Sequence, residues 1–302
     1  MVADNATALA SLHGRVAIIT GAGKGLGRAY ALALAARGAH VVVNNRRHPG
    51  EQDSETSAQQ TVDAIRAAGG TVIANFDAAD ADGAGGRMVQ QAVDHFGRID
   101  IVIANAALSQ ASTFGKQSLD DFMRIFNVGF LGTLNLVHAA WPLLRAQRHG
   151  RVIATTSSAG RYGNHGLGAY AASKGAIEML VRSLAAEGAS AGIRVNAISP
   201  YAATQMTAGH LGPDVAACLT PDVVAPMVAW LSSDACSANG QVFIAGGGRF
   251  RRGFSVETDS VAGSDMEQVA QALADMPGRP HPSSNHAFAT LVDELRAGGQ
   301  IP

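Results

Sequence analysis

The chain has 302 residues, 47% hydrophobic and 16% charged, a size and composition that build one large α/β domain or two small ones and exclude a disordered chain. Its formal net charge of −1 leaves no electrostatic footprint for nucleic acid or a lipid headgroup surface, and the basic cluster Arg249, Arg251 and Arg252 is too short to argue otherwise. Two cysteines, Cys218 and Cys236, with no Cys-x-x-Cys and no histidine at ligand spacing, support neither a disulfide scaffold nor a metal site, and suggest a reduced cytoplasmic protein.

In chain order, the first fourteen residues lack the basic start and apolar core of a signal peptide, and no apolar run reaches the ~18 residues that span a bilayer. Short β-branched runs at 15–20, 40–44, 71–75, 99–104, 151–156, 194–199 and 241–245 predict strands. Helical periodicity at 26–37, 54–68, 86–96, 119–145, 170–191 and 222–232 predicts helices between them. The strand runs are apolar on both faces, as in a sheet covered by helices on both sides. The right-handed crossover rule then leaves a doubly wound parallel sheet as the economical topology. Asp80 or Asp82 is placed to cap the following helix, Pro142 should kink or end the long fourth one, and Pro200 ends the sixth strand. From about Phe254 the chain becomes polar, with Pro277, Pro280 and Pro282 and helical patterns at 265–274 and 287–295. Residues 255–302 read as a C-terminal extension, because some fifty residues bury too little apolar surface alone.

The turn Thr20-Gly21-Ala22-Gly23-Lys24-Gly25-Leu26-Gly27 follows the first strand and opens the first helix. In that context glycines let backbone N–H groups approach a pyrophosphate, and the helix N-terminus adds positive charge. An acidic partner for the adenosine ribose belongs about 20 residues further on. That place reads Asn44-Asn45-Arg46-Arg47, where two guanidiniums suit a 2′-phosphate, so NADP(H) is expected ahead of NAD(H). The plainer alternative is a solvated loop. Asp77 ends the third strand within reach of an adenine amino group and Asn105 ends the fourth; for both, a local turn or cap is the competing role.

Tyr170 and Lys174 stand at i and i+4 on one helix face, with Ser157 at the carboxyl end of the fifth strand. A phenol with a pKa of about 10 is a poor base; a nearby ammonium lowers that value and makes Tyr170 a usable proton donor and acceptor. The Ser157 hydroxyl suits a carbonyl oxygen that gathers negative charge. A Tyr-x-x-x-Lys pair alone is an ordinary helix surface, and the strand-end serine is what gives it meaning. His165 reads as a loop histidine outside the chemistry.

With these residues in place the chain resembles the short-chain dehydrogenase/reductase family over roughly residues 12–250. The resemblance rests on Thr20-Gly-x-x-x-Gly25-x-Gly27, Asn105-Ala106, Asn127-Val128, Ser157, Tyr170-x-x-x-Lys174 and Pro200 in order. It implies a single Rossmann-like domain over residues 1–254, a seven-stranded parallel sheet of order 3-2-1-4-5-6-7, and a catalytic tetrad of Asn127, Ser157, Tyr170 and Lys174. It also implies that Lys174 holds the nicotinamide ribose, that Asn127 anchors a relay water, and that the helix breaks at Asn127. The cofactor-binding set becomes Gly21, Lys24, Gly25, Leu26, Gly27, Asn45, Arg46, Asp77, Asn105, Ala106, Tyr170, Lys174, Pro200 and Ala203. The stretches at 74–78, 162–166, 200–207 and 224–231 look like the (3R)-hydroxyacyl-CoA dehydrogenase part of multifunctional enzyme type 2 and like bacterial steroid dehydrogenases. Ala104-Asn105-Ala106-Ala107, Pro200-Tyr201 and Asn45 depart from the family's Asn-Asn-Ala-Gly, Pro-Gly and acidic residue; the first suggests a slightly displaced backbone, the second an aromatic ring near the pocket.

The expected activity is hydride transfer between a nicotinamide and a secondary alcohol/ketone on a bulky hydrophobic substrate, a 3-hydroxyacyl thioester or a steroid. Residues 201–213 are expected to act as a lid over it. Competing readings are a 3-oxoacyl-thioester reductase of fatty-acid synthesis, a non-catalytic NADP-sensing protein, and an extended-type epimerase or dehydratase. The resemblance implies a homotetramer or homodimer, with contacts through the helices at 119–145 and 170–191.

Overall fold

The computed structural model describes residues 11–207, 209 and 211–299. The β-branched runs form strands because their side chains can be buried on both faces at once. These are β1 (Val16–Ile19), β2 (His40–Asn44), β3 (Val72–Asn75), β4 (Ile101–Ala104), β5 (Gly150–Thr155), β6 (Ile193–Pro200) and β7 (Val242–Gly246). All six ladders between them are parallel, in the order β3-β2-β1-β4-β5-β6-β7. In β1, Ile18 sits opposite Val42 on one side and Val102 on the other.

An eighth strand, β8 (Arg249–Gly253), extends the sheet beyond the expected seven. Gly247 and Gly248, at φ +57° and +69°, form the two-residue turn that folds it back beside β7. The sequence hid it because its residues are exposed and arginine-rich rather than alternating.

The helices are α1 (Gly25–Ala35), α2 (Ser57–Ala67), α3 (Ala84–Phe96), α4 (Leu119–Phe126), α5 (Gly132–Gln147), α6 (Ser158–Tyr162), α7 (Gly168–Gly188), α8 (Pro213–Cys218) and α9 (Ala225–Leu231). One face of the sheet packs on α1, α2 and α9 through Tyr30, Leu34, Val62, Ile65 and Val228. The other packs on α3, α5 and α7 through Met88, Val89, Leu136, Leu144, Ile177 and Val181. Because β1 lies between β2 and β4, the chain leaves it in opposite directions. That reversal opens a crevice at the carboxyl ends of the strands, where such sheets take ligands.

Two sequence expectations change. Neither Asp80 nor Asp82 caps α3; Gly83, at φ +67°, is its N-cap and offers no side chain. Pro142 lies inside α5, which continues to Gln147 and stops at Arg148 in the left-handed conformation (φ 52°). Packing of its buried stripe on the sheet carries α5 past the lost hydrogen bond. No helix among the described residues is long and apolar enough to cross a membrane.

The chain divides into two compact units, one ending at Arg252 and one beginning at Gly253. The second holds β9 (Val256–Glu257), antiparallel to β10 (Arg279–Pro280), with α10 (Met266–Ala274) and α11 (Ser284–Ala297). Asp265 and Ser283 cap the two helices with their side chains, and neither helix has a buried residue.

Candidate active site

The glycine turn carries β1 into α1. Gly21 and Gly25 have φ of +63° and +53°, a region β-carbons disfavour. A Cβ on Gly27 would stand 2.2 Å from the Gly21 carbonyl oxygen, so only glycine lets α1 start this close. Lys24 is the N-cap of α1 without a side-chain cap, and the first turn carries no acidic residue. Its N–H groups are therefore left to an anion.

Neighbouring strand ends brace the turn. Thr20 Oγ1 accepts from the backbone N–H groups of Asn105 (3.0 Å) and Ala106 (3.1 Å). Asn105 Nδ2 returns hydrogen bonds to the carbonyls of Thr20 (3.1 Å) and Gly21 (3.3 Å), and Thr155 Oγ1 donates to Asn105 Oδ1 (3.3 Å). Ala107, where the family has glycine, keeps a negative φ, so alanine fits without strain. From α2, Thr61 Oγ1 donates to the carbonyls of Ala22 (3.1 Å) and Gly23 (3.2 Å). A Cβ on Gly23 would collide with Ser57 Oγ at 2.3 Å.

At the adenosine end, Asn45 is half-buried and donates to Ser57 Oγ (3.0 Å) and to the Arg46 carbonyl (3.3 Å). Arg46 and Arg47 are both exposed, and Arg47 is held by Asp53 and stacks over the Phe76 ring at 5.0 Å. Asp77 already pairs with Arg87 (2.7 Å) and accepts from Asn75 (3.1 Å). Pro200 is the last residue of β6, and Ala203 beyond it leads into Thr204, whose methyl group would lie 3.4 Å from a Cβ on Gly25. Ala203 is tied to the Leu219 carbonyl (2.6 Å), and Thr207 Oγ1 closes the base of the segment by donating to the Ala202 carbonyl (2.8 Å). Of the expected lid, Ala208 and His210 lie outside the described residues.

Ser157, two residues past the end of β5, is the N-cap of α6, its Oγ accepting from Ala159 N–H (3.2 Å). Tyr170 and Lys174 rise from the first turns of α7. Gly160 lets α6 press on that helix, since a Cβ there would lie 2.6 Å from the Lys174 carbonyl carbon. Lys174 is 1% exposed, and its Nζ donates to the Thr155 carbonyl (2.7 Å) and lies 5.7 Å from the centre of the Tyr170 ring. It forms no ion pair among the described residues. Burial pulls the ammonium down to about 7. Burial also raises the Tyr170 phenol, while hydrogen bonding from Ser157 works the other way. The expected net lowering of the phenol is thus reversed in the protein alone, because desolvation outweighs the Ser157 hydrogen bond.

Asn127 begins a π-helical turn, Asn127–Leu131, between α4 and α5, which is the form the expected helix break takes. Gly129 in this turn packs against Ser173 of α7, one residue before Lys174. Asn127 Oδ1 is buried with no hydrogen-bond partner among the described residues, an acceptor left open to water or ligand. Tyr201 is 44% exposed, its Cβ 2.7 Å from where one on Gly246 would be. His165 is exposed. Thr20, Thr61, Thr155 and Thr204 went unassigned from sequence; a hydroxyl at each strand end or turn beside the glycine motif was the available signal. Among the described residues no cluster of His, Cys, Asp or Glu could hold a metal ion.

A glycine cradle with an uncapped helix end suits a dinucleotide, and the Ser157, Tyr170 and Lys174 corner beside it places proton-transfer groups at the same sheet edge. Sequence comparison gives that geometry its family: a model of the short chain dehydrogenases matches residues 15–211, and the chain belongs to that family, whose members are nicotinamide-dependent oxidoreductases of CH–OH groups. A short-chain type dehydrogenase/reductase of Mycobacterium tuberculosis is 40% identical over 79% of this chain and 84% of its own length. Peroxisomal multifunctional enzyme type 2 of Mus musculus is 41% identical over 78% of this chain, which spans only 32% of that longer protein. The crystal structure of a short chain dehydrogenase from Mycobacterium avium superposes with a TM-score of 0.79 at 34% identity, covering 89% of this chain and 97% of that one.

Proposed function

We propose that residues 1–254 bind NADP(H) in preference to NAD(H) and interconvert a secondary alcohol and a ketone on a bulky hydrophobic substrate, foremost a 3-hydroxyacyl thioester. The observation that carries this reading is the buried Lys174, without an ion-pair partner among the described residues, one helical turn beyond Tyr170, with Ser157 at the same edge. The residues shared with multifunctional enzyme type 2 support the thioester.

When bound, the nicotinamide supplies the hydride acceptor or donor. The residues that would hold it are Gly21, Lys24, Gly25, Leu26 and Gly27 at the phosphates, Asn45 and Arg46 at the ribose, Asp77 at the adenine, and Asn105, Ala106, Pro200 and Ala203 toward the nicotinamide. Ser157 Oγ donates to the substrate oxygen and holds it beside Tyr170 Oη. In oxidation Tyr170 Oη takes the hydroxyl proton, and in reduction it returns one to the carbonyl oxygen. Lys174, with a value near neutrality, is poised to pass that proton on, and the open Asn127 Oδ1 would anchor a water that carries it to bulk solvent. Residues 201–213 close over the substrate, and the protein works as a cytoplasmic homotetramer or homodimer with contacts through α4, α5 and α7.

The test is a panel of 3-hydroxyacyl-CoA thioesters, hydroxysteroids and small secondary alcohols assayed with both nicotinamides. Thioester turnover is expected to lead, with higher kcat/KM for the phosphorylated cofactor; a clear NAD(H) preference removes that assignment. Tyr170→Phe should lower kcat by about 10²–10⁴-fold while dinucleotide uptake persists. Undiminished turnover in that variant, or no dinucleotide uptake by the wild type, overturns the reading.

A further inference from the structure

The edge strand β8 reads Arg249-Phe250-Arg251-Arg252, three guanidiniums in four residues of a chain whose formal charge is −1. Arg249 and Arg251 share one face by strand alternation, and both are exposed. Neither forms an ion pair with any described residue, whereas Arg15, Arg47, Arg87, Arg98 and Arg161 are all paired with carboxylates. Two unneutralised cations on a rigid strand are a site for an anion.

The hairpin that carries them abuts the segment proposed to cover the substrate. A Cβ on Gly246 would lie 2.8 Å from the Tyr201 carbonyl oxygen, and one on Gly247 would lie 3.6 Å from Leu219 Cδ2. Arg249 follows directly from this turn, at the carboxyl edge of the sheet where Ser157 also lies. Three strand spacings of ~4.8 Å separate β5 from β8, roughly 14 Å across the rim. A thioester clasped at Ser157 and Tyr170 would have to send its carrier across that rim, and an extended pantetheine arm is long enough.

We infer that Arg249 and Arg251 bind the phosphorylated ADP end of a coenzyme A thioester. This rests on the thioester reading above and narrows it to one carrier. A second copy of the chain is the poorer occupant of this edge, because pairing two such strands would bring arginines against arginines.

The experiment compares one 3-hydroxyacyl chain carried on coenzyme A, on N-acetylcysteamine, which lacks every phosphate, and on acyl carrier protein. Wild type and Arg249→Gln/Arg251→Gln are assayed with the nicotinamide saturating. In wild type the coenzyme A ester should have the lower KM, and adenosine 3′,5′-bisphosphate should compete with it. The double variant should raise the KM of the coenzyme A ester by about tenfold per arginine, abolish that competition, and so bring the two small esters together. Arg249→Lys/Arg251→Lys, which keeps the charge and loses the fork, should fall between them. Equal losses on both small esters, no loss, or an arginine dependence confined to the acyl carrier protein substrate would each overturn the assignment. Arginines that only block edge pairing would show instead as self-association of the glutamine variant without any change in ester preference. Failure of wild type to turn over any thioester while oxidising steroids would remove the underlying function, not the arginine site alone.

Discussion

Lys174 shows what a single residue costs and gains when folding places it beneath a site. Its amine is fully buried with a value near 7, against about 10.4 in an unfolded chain. Below pH ~7 it is charged in both states, so the whole desolvation cost is present. As pH rises from there toward 10 the unfolded chain holds the proton and the folded one does not, so stability is recovered. Lys174→Met should therefore unfold at a higher temperature than wild type below pH 7, with a gap that narrows as pH rises. Melting curves without cofactor read this directly, and a gap independent of pH would contradict it. Spacing alone identified Tyr170, Lys174 and Ser157 as a set. The desolvation that shifts both Tyr170 and Lys174 was not legible, because burial belongs to the folded packing rather than to a motif.

At the scale of elements, the site depends on how closely α6 and α7 meet. Gly160 permits that approach, and the Arg161–Glu178 pair (3.2 Å), buried at both ends, spans the same two helices. Gly160→Ala would push a methyl group to 2.7 Å from the backbone nitrogen of Gly175 and move Ser157 away from Tyr170. We expect a loss of about 1–3 kcal/mol in stability together with a fall in kcat, read by denaturant unfolding and steady-state kinetics. Wild-type kinetics would mean that the strand end adapts without this contact. The seven strands of the parallel sheet were legible as short β-branched runs apolar on both faces, and the longer helices between them from their 3.6-residue period. The strands and α-helices that escaped were β8, β9, β10, α6 and α8, all short or exposed. A helix break at Asn127 was expected through the family resemblance rather than from periodicity, which runs unbroken through residues 119–145; its π-helical form came only from the structure.

For the whole molecule, the two units differ in what they bury. The first encloses two apolar layers around the sheet, whereas α10 and α11 of the second contain no buried residue, and Phe288 is 67% exposed. Few buried contacts mean a low free energy of local opening. Limited proteolysis should therefore cut first within residues 253–299 and leave a fragment, ending near Arg252, that still takes up dinucleotide. Mass spectrometry of the early products checks this, and a first cut inside β1–β7 or their helices would contradict it.

The amino-acid order by itself determined the α/β alternation and the glycine turn, and it set out the proposed proton-transfer residues, because these depend on local periodicity and on side-chain chemistry at fixed spacing. Only the tertiary structure decided that Arg47 is spent on Asp53, that Asn127 Oδ1 is left without a partner among the described residues, and that Lys174 sits near neutrality. Each of those depends on which distant segments pack together and exclude water, and no window along the chain contains that information.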